Sequence, residues 1–310
     1  MSTFKEYLQR QGKSKSTVTH YSTYILDFIT WLDKDNTEPE QATAKEVLSY
    51  LNHLQQKGIS NKTKAIRLNT INHFFDYQLD KGIRADQPTR QLKIRGANTQ
   101  KLTPILKREQ LENIYTTYEV PTAKDPRNNR NWFTTYRLSK QRNKTILSLL
   151  VNQGLTTAEI TKIEVNDLKL REGTIYIAGS RKSNERTLDL KPNQIMDLME
   201  YTLQLRQSLL SYQKDREDKR LFLPTPVVGR KTAGGSLNIF KRLTEEIKEQ
   251  HPQFINLRQI RTSLITHWLK LHNLRKVQYM AGHRYVSTTE RYLINHTEDL
   301  QKEVDQFHPF

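Results

Sequence analysis

INLRQIRTSLITHWLKLHNLRKVQYMAGHRYVSTTERY, Ile255 to Tyr292, is the stretch on which the reading of the whole chain turns. From Leu257 to Leu271 the apolar residues Leu257, Ile260, Leu264, Ile265, Trp268, Leu269 and Leu271 recur at helical spacing. Arg258 and Arg261 therefore lie one turn apart on one helix face. A shorter helix, Leu274 to Met280, ends at Gly282, because glycine readily takes the left-handed conformation that stops a helix. Ser287-Thr288-Thr289-Glu290 reads as a capping start, which would put Tyr292 on the second turn of a new helix and His283 in the turn before it. Two guanidiniums for phosphate oxygens, an imidazole that titrates near neutrality and a phenol able to attack phosphorus are the groups needed to break a phosphodiester without a metal.

The same residues carry a resemblance. Arg261, then Gly282-His283, then Tyr292 nine positions beyond His283, resembles the active-site signature of the tyrosine recombinases, the phage integrase family. Arg258 stands where that family usually has His. A second departure falls in Gly154-Leu155-Thr156-Thr157-Ala158-Glu159-Ile160, similar to the family's Gly-Leu-Arg-x-x-Glu-Leu. There the first catalytic arginine is replaced by Thr156, a hydroxyl without charge. Loss of such a clamp from a phosphorane dianion costs on the order of 3 kcal/mol. Another cation is expected in its place, Arg258 first, Arg181 and Arg186 after it.

Gly173 to Gly179 alternates as a strand, and Arg186 to Leu190 answers it across a turn that presents Arg181 and Lys182. The resemblance makes Lys182 the counterpart of the lysine that protonates the leaving 5′-oxygen, with Arg181 as the fallback, a poorer acid because it hardly gives up its proton. It also implies Tyr292 as nucleophile, Arg261 and Arg258 on the phosphate, and His283 as a hydrogen-bonding or proton-handling group. Strand cleavage then stores the bond energy in a 3′-phosphotyrosyl link, with no metal, ATP or other cofactor. The fold implied is mainly α with a small β-hairpin or sheet: a SAM-like helical core-binding domain at residues 1–89, a basic linker at 90–103, and a mixed α/β catalytic domain with a C-terminal tail at 104–310.

Composition agrees with a polyanionic partner. The net charge is +17 over 310 residues, with a pI near 9.8 and a mean hydropathy of −0.78. Residues 1–97 hold 15 Lys and Arg against 10 Asp and Glu, and the remainder 35 against 23, so the basic surface is not confined to one end. There is no cysteine, which removes disulfides and thiolate metal sites. No apolar run approaches a membrane span and the first residues are too polar for a signal peptide, so a cytoplasmic protein, on the nucleoid when bound to DNA, is expected.

The first hundred residues read as helices. Val18 to Leu32, Thr43 to Leu54 and Ser60 to Leu79 each carry an apolar face. Lys13 and Lys15, and Lys62, Lys64 and Arg67, are read as outward clusters for DNA phosphates, joined by Lys93 and Arg95 of the linker. Residues 118–135 form a polar insertion, either a plain surface loop or a DNA-contacting one. Residues 191–250 are scaffolding, in which Gly234-Gly235 is a plain helix entry. Leu293 to Phe310 packs at home or, as the resemblance implies, on a neighbouring protomer. The expected partners are double-stranded DNA and further copies of the chain, a tetramer on paired sites and a monomer or dimer when free. Two alternatives share these features: a catalytically weakened DNA-binding or accessory relative, which Thr156 would suit, and a type IB topoisomerase.

Overall fold

The computed structural model describes residues 3–97, 103–122, 124–226 and 237–293. It divides into two compact units, residues 1–101 and 102–310. Among the described residues no helix is long and apolar enough to cross a membrane.

The first unit is built of α1 (Phe4–Arg10), α2 (Lys15–Leu32), α3 (Ala44–Gln56) and α4 (Asn61–Asp80). Each starts where a side-chain oxygen can receive an otherwise unpaired amide: Ser14 from Thr17 at 3.2 Å and Ser60 from Thr63 at 3.3 Å, while Thr43 and Glu46 form a reciprocal capping box. Ile25, Phe28 and Leu32 of α2 meet Val47, Leu51 and Leu54 of α3 and Leu68, Ile71 and Phe75 of α4 in one core. Helices α2 and α4 run antiparallel, with Asp27 beside Arg67 at 3.1 Å and Tyr21 beside Asn69 at 2.9 Å.

This packing corrects part of the sequence expectation. Lys64 is buried, with Nζ donating to Gln55 at 3.0 Å, and Arg67 is held between Asp27 and the Tyr50 hydroxyl. Both cations serve the domain's own interior, because the neighbouring helices supply acceptors that the isolated sequence of α4 does not reveal. Lys15, Lys62, Lys93 and Arg95 are exposed and Lys13 is half-buried. The expected linker also starts later than residue 90. Leu92 and Ile94 pack on the first core, and the Arg95 carbonyl accepts from Asn61 at 3.1 Å, which lays this segment beside the start of α4 and Lys62.

The second unit is organised around α6 (Phe133–Gln153), which follows α5 (Arg108–Thr116). Ile146, Leu147, Leu149, Leu150 and Val151 are all buried, so the C-terminal half of α6 is covered on every side, as a central helix must be. A short helix, α7 (Thr157–Ile160), leads to a three-stranded antiparallel sheet of β1 (Leu168–Lys169), β2 (Thr174–Ile177) and β3 (Arg186–Asp189) in sequential order. Ile175 pairs with Leu188 and Ile177 with Arg186, and alternation turns Ile175, Ile177, Leu188 and Arg186 toward the interior. Then come α8 (Pro192–Glu200), a π-helical turn at Tyr201–Leu205, α9 (Arg206–Leu210), α10 (Leu237–Gln250), α11 (Leu257–Leu271), α12 (Leu274–Ala281) and α13 (Val286–Glu290).

The polar insertion is tied at both ends. Tyr118 and Phe133 are buried, the Tyr118 hydroxyl bonds Glu246 of α10, and Lys140 of α6 reaches the same carboxylate at 3.3 Å. Gly234-Gly235 and the tail beyond Leu293 lie outside the described residues.

Candidate active site

The site forms where the C-terminal ends of α6 and α12 approach α11. Gly154 ends α6 with φ +60°, and a Cβ there would stand 3.1 Å from Leu264 and 3.3 Å from Trp268, so both backbone conformation and close packing require glycine. The close approach brings the Gly154 carbonyl to Arg261 Nη1, while Arg261 Nη2 donates to the Ala281 carbonyl at 2.6 Å. A guanidinium between two helix C-termini is favourably placed, since unpaired carbonyls and the negative dipole ends converge there. Burial lowers the Arg261 pKa; Glu159 opposes this, Arg186 adds to it, and the phenol of Tyr292 opposes it.

Thr156 is a helix cap. Its amide and hydroxyl both donate to Glu159 Oε2 at 2.8 Å, and its Oγ1 accepts the Glu159 amide at 3.2 Å. The other Glu159 oxygen accepts from Arg186 Nη1 at 2.7 Å, and Arg261 Nη1 lies 3.9 Å from Oε2. One carboxylate thus joins the Thr156 cap to two guanidiniums. Burial raises its pKa, but the Arg186 hydrogen bond and charge, the Thr156 amide and Arg261 outweigh that and leave it below the ordinary value.

Gly282 caps α12 with φ +67°, and His283 follows it. The turn is pinned to the β2–β3 hairpin: Ser183 bridges His283, the Asn184 amide donates to the Gly282 carbonyl at 3.0 Å, and the Tyr279 hydroxyl bonds both the amide and the carbonyl of Thr187. This docking brings exposed Lys182, at the hairpin tip, to the same cleft as His283. The cleft, about 330 Å3 in volume, is lined by Thr156, Glu159, Lys182, Arg261, Gly282 and His283 among others.

His283 is buried, its Nδ1 lies 2.9 Å from Thr289 Oγ1, and its ring stacks on Tyr292 with centroids 5.6 Å apart and 17° between planes. Burial, then Arg261 and Arg186, push its pKa down to about 4, so the imidazole is neutral at physiological pH. Tyr292 is half-buried on the cluster of Leu264, Ile265 and Trp268. Its setting differs from the expected one. Tyr285 is extended and already forms the N-cap of α13, so Ser287 falls inside the first turn; the helix ends at Glu290 and Tyr292 sits in the turn beyond, its amide on the Thr289 carbonyl at 3.0 Å.

Arg258, expected to fill the place of the missing clamp, is exposed and is not among the residues lining the cleft. It occupies the first turn of α11, where the positive helix end disfavours a cation and solvent is the better environment. Arg181 is exposed, and its carbonyl accepts from Arg284 at 3.0 Å. Arg186 is the one of the three that packs against Glu159 and Gly282, and its charge is felt at His283; it stands behind the cleft wall and is not among the residues lining it. Among the described residues, no group of three or more His, Cys, Asp or Glu could hold a metal ion.

Residues 106–299 match the model of the phage integrase family, and residues 1–84 match the phage integrase N-terminal SAM-like domain. The chain belongs to the phage integrase family. Tyrosine recombinase XerC of Psychromonas ingrahamii is 24% identical to this integrase, over 97% of this chain and 92% of the relative. Tyrosine recombinase XerD of Oceanobacillus iheyensis is 27% identical, over 96% and 94%. Two solved structures share its fold. A XerH site-specific recombinase bound to difH gives a TM-score of 0.69 at 19% identity, covering 93% of this chain and 78% of that one. A lambda integrase tetramer bound to a Holliday junction gives 0.62 at 14%, covering 93% and 74%. The integrase is a tyrosine-type site-specific DNA recombinase, and neither the accessory-protein nor the topoisomerase alternative is favoured.

Proposed function

We propose that Tyr292 is the nucleophile of this recombinase and that the cleft beside it holds the scissile phosphate. The observation that carries this reading is convergence: Arg261 from α11, His283 from the turn after α12 and Lys182 from the β2–β3 hairpin line one cleft, and Tyr292 stacks on His283. In the reaction, Tyr292 Oη forms a bond to phosphorus while the bond from phosphorus to the 5′-oxygen breaks, and the phenolic proton passes to water. Lys182 Nζ supplies a proton to the departing 5′-oxygen and regains one from solvent. Arg261 balances the charge that builds on the non-bridging oxygens. Neutral His283 is too weakly basic to compete for the phenolic proton; with Nδ1 on Thr289, its Nε2 is left to hydrogen-bond a phosphate oxygen. Attack by another 5′-hydroxyl on the 3′-phosphotyrosyl link reverses the chemistry and joins new partners.

Duplex DNA and further copies of the chain are the partners this chemistry needs, with four protomers on two paired sites. The lambda integrase tetramer on a Holliday junction supports that assembly by fold similarity. Exposed Lys15, Lys62, Lys93 and Arg95 are the first unit's candidates for phosphate contacts. The test is a nicked suicide substrate, whose cleavage releases a short fragment and traps the covalent complex. The wild-type chain should form an adduct that migrates with the DNA in denaturing gels. Tyr292→Phe should form none while binding the same duplex with the same salt dependence; an adduct in that variant would overturn the assignment.

A further inference from the structure

A guanidinium buried on the inward face of a strand is expensive, and it persists where every N–H is satisfied or where a ligand completes it. Arg186 occupies such a position. It shares the inward phase of β3 with Leu188 and is only 2% exposed. Nη1 meets Glu159 Oε1 at 2.7 Å, but Nε and Nη2 have no hydrogen-bond partner among the described residues. The guanidinium lies against Gly282, where even a Cβ would run into Nη1 and Cζ. Gly282 lines the same cleft as Arg261 and His283, and Arg186 is one of the charges that push the His283 pKa down. A strongly buried cation with two N–H groups unmet, beside a second guanidinium and a neutral imidazole, calls for an anion with several oxygen acceptors.

We infer that Arg186 is a catalytic residue, supplying from β3 the second guanidinium for the scissile phosphate that Thr156 cannot provide. Glu159 makes the relocation workable. Its carboxylate, which lines the cleft, links the Thr156 cap, Arg186 and Arg261, and so holds the Arg186 guanidinium just behind the cleft wall without an arginine at position 156. The Nε and Nη2 edge is shut from the cleft in this structure, so engagement requires a small shift at Gly282 on phosphate binding, after which its paired N–H groups suit two phosphate oxygens.

The inference rests on the recombinase reading above, and the experiment separates the two. Full-length wild-type, Arg186→Ala and Thr156→Arg/Arg186→Ala chains are compared on a suicide substrate with an ordinary scissile phosphodiester and on one carrying a neutral methylphosphonate. On the ordinary substrate, Arg186→Ala should cleave at least about 100-fold more slowly. On the methylphosphonate, which has less charge to balance, the deficit should shrink to less than about 10-fold, a change that a purely structural role would not produce. The double variant should regain at least about 10-fold, because an arginine at 156 would meet the same carboxylate from the other side. An equal deficit on both substrates in a chain of unchanged thermal midpoint would overturn the assignment, as would wild-type cleavage by Arg186→Ala. If wild-type forms an adduct on neither substrate, the recombinase reading itself falls and takes this inference with it.

Discussion

Two arginines in the second unit are equally hidden, each 2% exposed, and their surroundings could hardly differ more. Arg142 on α6 has every direction met: Nη1 donates to the Leu223 carbonyl at 2.9 Å, and Nε and Nη2 to Asn143 Oδ1 at 3.2 and 2.8 Å. Burial lowers its pKa to about 10 against the opposing influence of Tyr201, Tyr118 and Glu246, so it stays charged. Arg186 has one direction met and two unmet. The first is a completed buried polar network, which holds the insertion side of α6 against the Leu221–Pro224 segment. The second is a network waiting for a partner. Satisfaction, not burial, separates a structural charge from a functional one.

Stability and activity should therefore part company at these two positions. Arg142→Met strips the Leu223 carbonyl and Asn143 of their donor in a sealed interior, and should cost about 3 kcal/mol in urea unfolding. Arg186→Met removes a charge that is only half paired, while Glu159 keeps the Thr156 amide and hydroxyl and its proximity to Arg261. With Arg261 still 3.9 Å from the carboxylate, that change should cost less than Arg142→Met. Cleavage of a suicide substrate should rank the other way among the folded populations. If Arg186→Met proved as destabilising as Arg142→Met, the contrast drawn here would collapse and Arg186 would be a second structural charge.

Gly282 offers a finer probe, because it touches only the Arg186 side of the comparison. Gly282→Ala places a Cβ on Arg186 and forces a residue at φ +67° to carry a side chain. The backbone part should cost on the order of 1–2 kcal/mol of stability. The steric part should appear as lost cleavage, through displacement of the guanidinium. In an Arg186→Ala background the same substitution should leave the residual cleavage rate nearly unchanged. A double-mutant cycle with no coupling between the two positions would mean that Gly282 does not seat Arg186.

How much of this could be read from the chain depends on how local each signal is. Helix starts at Thr43 and Ser60 were legible because a cap and its amide lie within three residues of each other. Arg261, Gly282-His283 and Tyr292 were legible because their spacing is a motif. Lys64 and Arg67 were misread as outward because Gln55, Asp27 and Tyr50, which hold them, come from other helices. The role of Glu159 was hidden for the same reason: its partners stand 27 and 102 residues away in sequence. Arg186 was within reach. Its phase matches Leu188 and Leu190, so strict alternation puts a cation on the buried face of β3, a stronger signal than the proximity of Arg258 to Arg261 along one helix.

The smallest expected effect concerns His283, which shares the cleft with Arg261 and feels the charge of Arg186. Its pKa falls from 6.5 to about 4 on folding. Between those values the unfolded chain binds a proton that the folded chain refuses, so stability is full above pH 6.5 and declines as pH falls toward 4. At pH 5.5 this amounts to about 1 kcal/mol. His283→Asn removes the titrating group, and Thr289 retains a hydrogen-bonding neighbour; the variant should therefore lose about 1 kcal/mol less than wild-type between pH 7.5 and 5.5. Arg186→Ala should reduce that difference, since one of the charges opposing protonation is gone. Equal pH dependence in wild-type and His283→Asn would show that the imidazole is already solvated, and that the cleft is more open than its burial suggests.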